Sequence, residues 1–184
     1  MFSLLVNERR NRCVLFNSLV VLFLMLSLQV VQAGEQRCRG VFEDMKRATV
    51  LVEGVAAQQA SNQCVHVAVT RLQQSCGYID IPKAVIENTG ILFAFEEEAR
   101  RHFVMTCRDA DGNTHDCVSA PLDILFFNAE KRLVERATMP IGGSYKTKNA
   151  AKYALEVPIS RFEHYLLPIN DSRLVVTSPL CLDE

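Results

Sequence analysis

Beyond residue 33 the apolar residues of this chain come in short runs separated by turn residues, and that spacing limits it to strands and small helices. Between Cys64 and Val69, Val65, Val67 and Val69 alternate with Cys64, His66 and Ala68, the period of a half-buried strand. Strands are expected at Thr49–Val55, Cys64–Val69, Gly90–Phe95, Phe103–Cys107, Leu122–Phe127, Arg132–Met139 and Tyr153–Val157, with a last one near Leu174–Thr177. Thr70 can cap a helix over Arg71–Cys76 that Gly77 stops, and Ser160 can cap another over Arg161–Leu166. Asp111-Gly112 is a hairpin signal, and Asn128 to Lys131 forms a second turn. Many strands and one or two short helices predict a mainly β domain, small and barrel-like, with α+β as the alternative.

The N-terminus reads as an export signal over residues 1–33. Arg9, Arg10 and Arg12 precede the apolar run Leu19 to Leu28, and Val31-Gln32-Ala33 offers small residues for cleavage. The competing reading is a retained anchor, because Val14 to Ala33 is almost long enough to span a bilayer. Glu35-Gln36-Arg37 before Cys38 does not fit a lipidation box. Cleavage after Ala33 leaves 151 residues, enough for one domain with a core. The signal carries three arginines and Glu8, so the net charge moves from −1 to −3. That mild acidity argues against nucleic-acid binding, which rests on clustered basic charge. Residues 34–47 read as a polar leader, and residues 48–184 as the single domain.

Six cysteines remain once Cys13 leaves, and an even count in an exported chain predicts a disulfide framework. Fifteen pairings are open to six cysteines. The hairpin around Asp111-Gly112 can bring Cys107 and Cys117 together, and Cys64–Cys76 and Cys38–Cys181 are expected to follow. Zinc is the alternative for His115-Asp116-Cys117, but no Cys-x-x-Cys spacing supports a metal site, and no motif implies a cofactor.

Three phrases give the chain a relative. Gly90-Ile91-Leu92-Phe93-Ala94-Phe95, then Arg100-Arg101-His102-Phe103-Val104-Met105, then Pro121-Leu122-Asp123-Ile124-Leu125-Phe126-Phe127 follow one another in order. Together they resemble the domain-of-unknown-function family 192, also called uncharacterised protein family 0127, from about Ala48 to Val176. The resemblance implies a compact β fold with short helices and supplies no activity. The chain departs from the family pattern in several places. Val104 stands where a tryptophan is usual, Cys76-Gly77-Tyr78-Ile79 replaces Arg-Gly-Leu-Met, and the Cys107–Cys117 insert displaces Lys-Asn-Thr.

The candidate ligand-binding residues are Asp123, Arg100, Arg101, His102, Met105 and Lys146. Asp123 shares a strand face with Leu125 and Phe127, where desolvation would perturb a carboxylate, and the Arg100-Arg101-His102 phrase is expected within its reach. The same aspartate also fits a structural role. Ser119, His102 and Asp123 have the residue types of a hydrolase triad, yet the chain lacks a Gly-x-Ser-x-Gly elbow. Gly142 to Lys148 is not a phosphate loop by spacing and reads as a mobile loop, with Lys146 and Lys148 free to hold an anion. Glu96-Glu97-Glu98 reads as a solvated turn.

These readings converge on a periplasmic or secreted noncatalytic domain that binds a small ligand or an envelope protein. Membrane contact enters only if the signal is retained. The alternatives are an envelope enzyme acting through Asp123 and His102, and a signal-anchored subunit of a membrane complex.

Overall fold

Alternating side chains along two strands organise the domain. In β7 (Leu122–Phe127), Leu122, Ile124 and Phe126 pack into one buried cluster, while Leu125 and Phe127 pack into another. In β10 (Ala151–Pro158), Ala154 joins the first cluster, and Leu155 and Val157 join the second. A sheet sandwiched between two apolar layers is therefore built from sequence period alone.

A computed structural model describes residues 38–54, 63–109, 111–159, 167–177 and 181. The expected signal 1–33, residues 34–37 of the leader, and the expected helix Arg161–Leu166 with its cap Ser160 lie outside the described residues. Elements before β7 are β1 (Lys46–Glu53), β2 (Gln63–Ala68), β3 (Ile91–Ala99), β4 (His102–Val104), β5 (Thr106–Arg108) and β6 (Thr114–Asp116). After β7 come β8 (Leu133–Met139), β9 (Ser144–Lys146), β10 and β11 (Arg173–Thr177). The helices are α1 (residues 38–43), α2 (Arg71–Cys76) and α3 (Lys83–Ile86).

Seven strands form one sheet in the order β11-β1-β2-β3-β10-β7-β8. Among the described residues only the β2/β3 pair is parallel, and the crossover between them carries α2 and α3. The two edge strands approach each other where Arg132 bridges Arg173 and Leu133 N–H donates to Ser172 O at 2.8 Å. The sheet is thus curled into a half-barrel, and the fold is mainly β, as the strand spacing predicts. Two small ribbons, β4/β9 and β5/β6, stand beside it.

Helix α2 begins and ends where its sequence says. Thr70 accepts from Gln73 N–H at 3.2 Å, Gln73 Oε1 accepts from Thr70 N–H at 3.0 Å, and Gly77 closes the helix at φ 47°. Elsewhere the structure corrects the sequence reading. Residues 38–47 are no outside leader: Phe42 and Met45 are buried in the first cluster, and the compact unit begins at Cys38. Glu96 to Glu98 fall within the span of β3 with exposed side chains instead of forming a turn, at the irregularity where the β3/β10 register shifts between the Ala94–Tyr153 and Ala99–Ala151 pairs. The expected strand Phe103–Cys107 divides at Met105, whose N–H donates to Gly143 O at 2.9 Å while the chain changes partner from β9 to β6. The Gly142–Lys148 segment is fastened. Tyr145 Oη and the N–H groups of Lys148 and Asn149 all donate to the Glu135 carboxylate.

Three disulfides staple the domain. Cys107 pairs with Cys117 across the β5/β6 hairpin. The other two are Cys38–Cys76 and Cys64–Cys181, in place of the expected Cys64–Cys76 and Cys38–Cys181. Register gives the reason. Thr49 faces both Cys64 on β2 and Thr177 on β11, so β11 leads the chain back toward Cys64. Cys76, buried at the end of α2, instead meets the start of α1. Replacing Cys64 and Cys181 together by Ser should destabilise the domain by about 5 kcal/mol, against about 3 kcal/mol for Cys107 and Cys117, if loop entropy dominates. Urea unfolding under nonreducing conditions checks this, and equal losses would contradict that ranking.

Candidate functional site

The crossover that carries α2 lies against the central strand β3, where Gln74 Nε2 donates to Ala94 O at 2.9 Å, and a cleft of about 630 Å³ opens beside it. Phe93, Phe95, Phe103, Met105 and Leu122 give it apolar walls. Phe103 packs edge-on against Phe93 at 5.4 Å and against Phe126 at 5.5 Å between centroids, so the wall is braced from behind. Arg71, Arg100, Arg101 and His102 line the cleft as well. Its volume falls within the range of small-molecule sites.

Glu156 supplies the unexpected chemistry. It sits on β10 between Ile91 of β3 and Ile124 of β7, alternating with Leu155 and Val157 to face the cleft side. Only 6 % of it is exposed, and it is the one carboxyl among the described residues lining the cleft. Burial makes the charged form costly, so its pKa rises from the ordinary carboxylate value to about 8. A protonated carboxyl donates one hydrogen bond and accepts others; an ionised one only accepts. Sequence alone hid this residue, since Leu155-Glu156-Val157 reads as a routine alternating strand.

Four of the six sequence candidates meet at the cleft: Arg100, Arg101, His102 and Met105. Arg101 is largely occupied there. Its guanidinium lies 3.9 Å over the Phe95 ring, its Nε donates to Ala151 O at 3.3 Å, and Nη2 donates to the Glu97 carbonyl. Met105 is buried in the wall. Lys146 faces His102 across the β4/β9 ribbon but does not line the cleft.

Asp123 also lies elsewhere. It is fully buried on the second-cluster side of β7, beside Thr138 and Val157, and Thr138 Oγ1 donates to its Oδ1 at 2.5 Å. The cleft opens on the opposite face, lined by Leu122, so the expected meeting of Asp123 with Arg100, Arg101 or His102 does not occur. Strand alternation separates them. The triad inventory dissolves for the same reason, and Ser119 Oγ donates to Ile81 O at 3.2 Å. Cys117 of the zinc alternative is bound in a disulfide. Among the described residues no group of three or more His, Cys, Asp and Glu side chains is placed to hold a metal.

A smaller cavity of about 320 Å³ lies beside α1, lined by Phe42, Arg47 and His66 among others. The His66 ring packs at a tilt against Phe42, 4.1 Å between centroids, and burial, aided by Arg47, lowers its pKa. This imidazole helps to seat α1 on the sheet.

Curled sheet, three disulfides and an acid-floored cleft define a small stapled β domain with a ligand-sized site. The chain belongs to the DUF192 family, described as Uncharacterized ACR, whose profile matches residues 54–172. Two crystal structures share the fold. One is a protein from Sinorhizobium meliloti 1021 described provisionally as a transcription regulator, 18% identical, with a TM-score of 0.58 over 72% of this chain and 95% of that one. The other is a protein of unknown function from Novosphingobium aromaticivorans DSM 12444, 16% identical, with a TM-score of 0.53 over 70% of this chain and 84% of that one. At these identities the likeness is one of fold alone. A search of curated proteins finds no match.

Glu156 makes a stability prediction whose sign is fixed. The unfolded chain releases this proton at the ordinary value of 4.5 and the folded chain at about 8, so between them unfolding releases a proton. Its contribution is complete below about 4.5 and is lost as pH rises to about 8, by at most about 1.4 kcal/mol per pH unit. The difference in urea-unfolding free energy between wild type and Glu156→Gln should therefore move in favour of the variant across that window. A difference constant with pH would mean that Glu156 ionises normally.

Proposed function

We propose that this protein is an exported, noncatalytic binding domain that holds a small organic ligand in the cleft between α2 and β3. The observation that carries this reading is the cleft itself, an apolar-walled site with a few convergent polar groups at Glu156, Arg100 and His102. Three intramolecular disulfides suggest an oxidising environment and so support the exported part. The enzyme alternative loses its proposed pair, because Asp123 and His102 do not share a site. A small ligand is favoured over a protein partner because the cleft has the volume and the apolar walls of a small-molecule site.

Ser75 is exposed on α2 and lines the cleft, so Ser75→Trp should fill the site without entering the core. A metabolite panel screened by thermal shift should contain ligands that stabilise the wild type and leave Ser75→Trp unmoved. Equal response of the two proteins, or turnover of a bound compound, would overturn the reading. Export has its own test. Intact mass of the protein recovered from outside the cytoplasm should match a chain beginning at Gly34, and a full-length chain held in membranes would contradict it.

A further inference from the structure

We infer that the ligand is a small organic anion, its apolar body lying between Phe93, Phe103 and Met105 and its acidic head at the cleft mouth on Arg71 and Arg100. The inference rests on the cleft being a binding site and adds the class of molecule it takes. Charge and placement carry it. The cleft brings together three guanidinium groups from two parts of the chain, Arg71 from α2 and Arg100 and Arg101 from the segment joining β3 to β4. The lone carboxyl, Glu156, lies inside among Leu122, Phe93 and Tyr78.

The three arginines differ in what they can still do. Arg101 is engaged by the Glu97 and Ala151 carbonyls and by Phe95, and so shapes the wall. Arg71 and Arg100 are exposed, and a guanidinium there can fork onto a carboxylate or sulfonate. At the inner end Glu156 is held protonated at neutral pH by burial, so it adds no negative charge to oppose an anion and keeps one O–H to donate. The neighbouring Tyr78 hydroxyl is committed to the Thr89 carbonyl at 3.0 Å, which leaves Glu156 as the donor of the floor. A cationic ligand would meet the guanidinium groups at the mouth and find a neutral acid inside. Phe93, Phe103 and Met105 favour a flat or branched apolar body over a sugar-like one.

Two probes with the same ring system separate charge from shape: anilinonaphthalene sulfonate, an anion, and N-phenylnaphthylamine, its neutral counterpart. Binding of each is followed by fluorescence at neutral pH and low salt, on the intact oxidised protein. We expect the sulfonate to bind the wild type about three- to tenfold more tightly than the amine. The double variant Arg71→Ala/Arg100→Ala should weaken the sulfonate more than the amine and so abolish that preference, and Ser75→Trp should abolish binding of both. Two exposed positions change in the double variant, and circular dichroism together with an unchanged urea-unfolding midpoint shows that it folds. If the amine binds as well as the sulfonate, or the preference survives loss of both arginines, the anion assignment falls and the cleft reading stands. If neither probe binds, or both bind Ser75→Trp equally, the cleft reading falls as well.

Discussion

β10 is the strand on which the rest of the domain depends. It is hydrogen-bonded on both sides, to β3 and to β7, and each of its two faces feeds a different apolar cluster. Leu155 and Val157 fix one layer and Ala154 the other. A register slip of one residue would exchange the two faces and bury every side chain on the wrong layer. The same rule that builds the core sends Glu156 into the cleft, so fold and site come from one alternation.

Placing an acid there has a cost that the architecture turns to use. A carboxyl among Ile91, Ile124 and Leu122 gives up its charge more readily than its burial, and a neutral acid is compatible with an apolar pocket. The cleft walls come from segments that would otherwise be loosely attached. Cys38–Cys76 ties α1 to the end of α2, and Thr147 Oγ1 accepts from Arg101 N–H at 2.8 Å, holding the β4 side. Glu135 anchors β9 from the far side. Burial alone would raise its pKa, but the Tyr145 hydroxyl and two backbone N–H groups outweigh that and hold the carboxylate below its ordinary range. Tyr145 is correspondingly pushed up to about 12. A preorganised wall of this kind loses little entropy when a ligand enters.

Much of the fold was legible because it rests on local rules. The bounds of β7 and α2 follow from Pro121 before an apolar run, and from the Thr70/Gln73 capping box with Gly77 behind it. Cys107–Cys117 was legible because one hairpin encloses it. Cys38–Cys76 and Cys64–Cys181 were not, since they report which strands become neighbours, and β11 returning beside β1 is a long-range fact. Local charge patterns misled for a similar reason. Glu96 to Glu98 look like a turn because the local sequence does not show that β3 resumes its pairing with β10 at Ala99, and residues 142–148 look free until Glu135 collects donors from Tyr145 and Lys148. At the site, adjacency in sequence kept Arg100, Arg101, His102 and Met105 together, whereas Asp123 drew attention as a carboxylate on an apolar strand. Glu156 fits that same description and lies on the face that matters, a distinction only the sheet register makes.

The central claim is that the cleft is floored by a carboxyl kept neutral by burial. The most direct test is a carboxyl-carbon NMR titration of the protein labelled at glutamate, with the Glu156 resonance assigned by its loss in Glu156→Gln. The account predicts a midpoint near about 8 for this one glutamate. A midpoint at the ordinary value near 4.5 would contradict it.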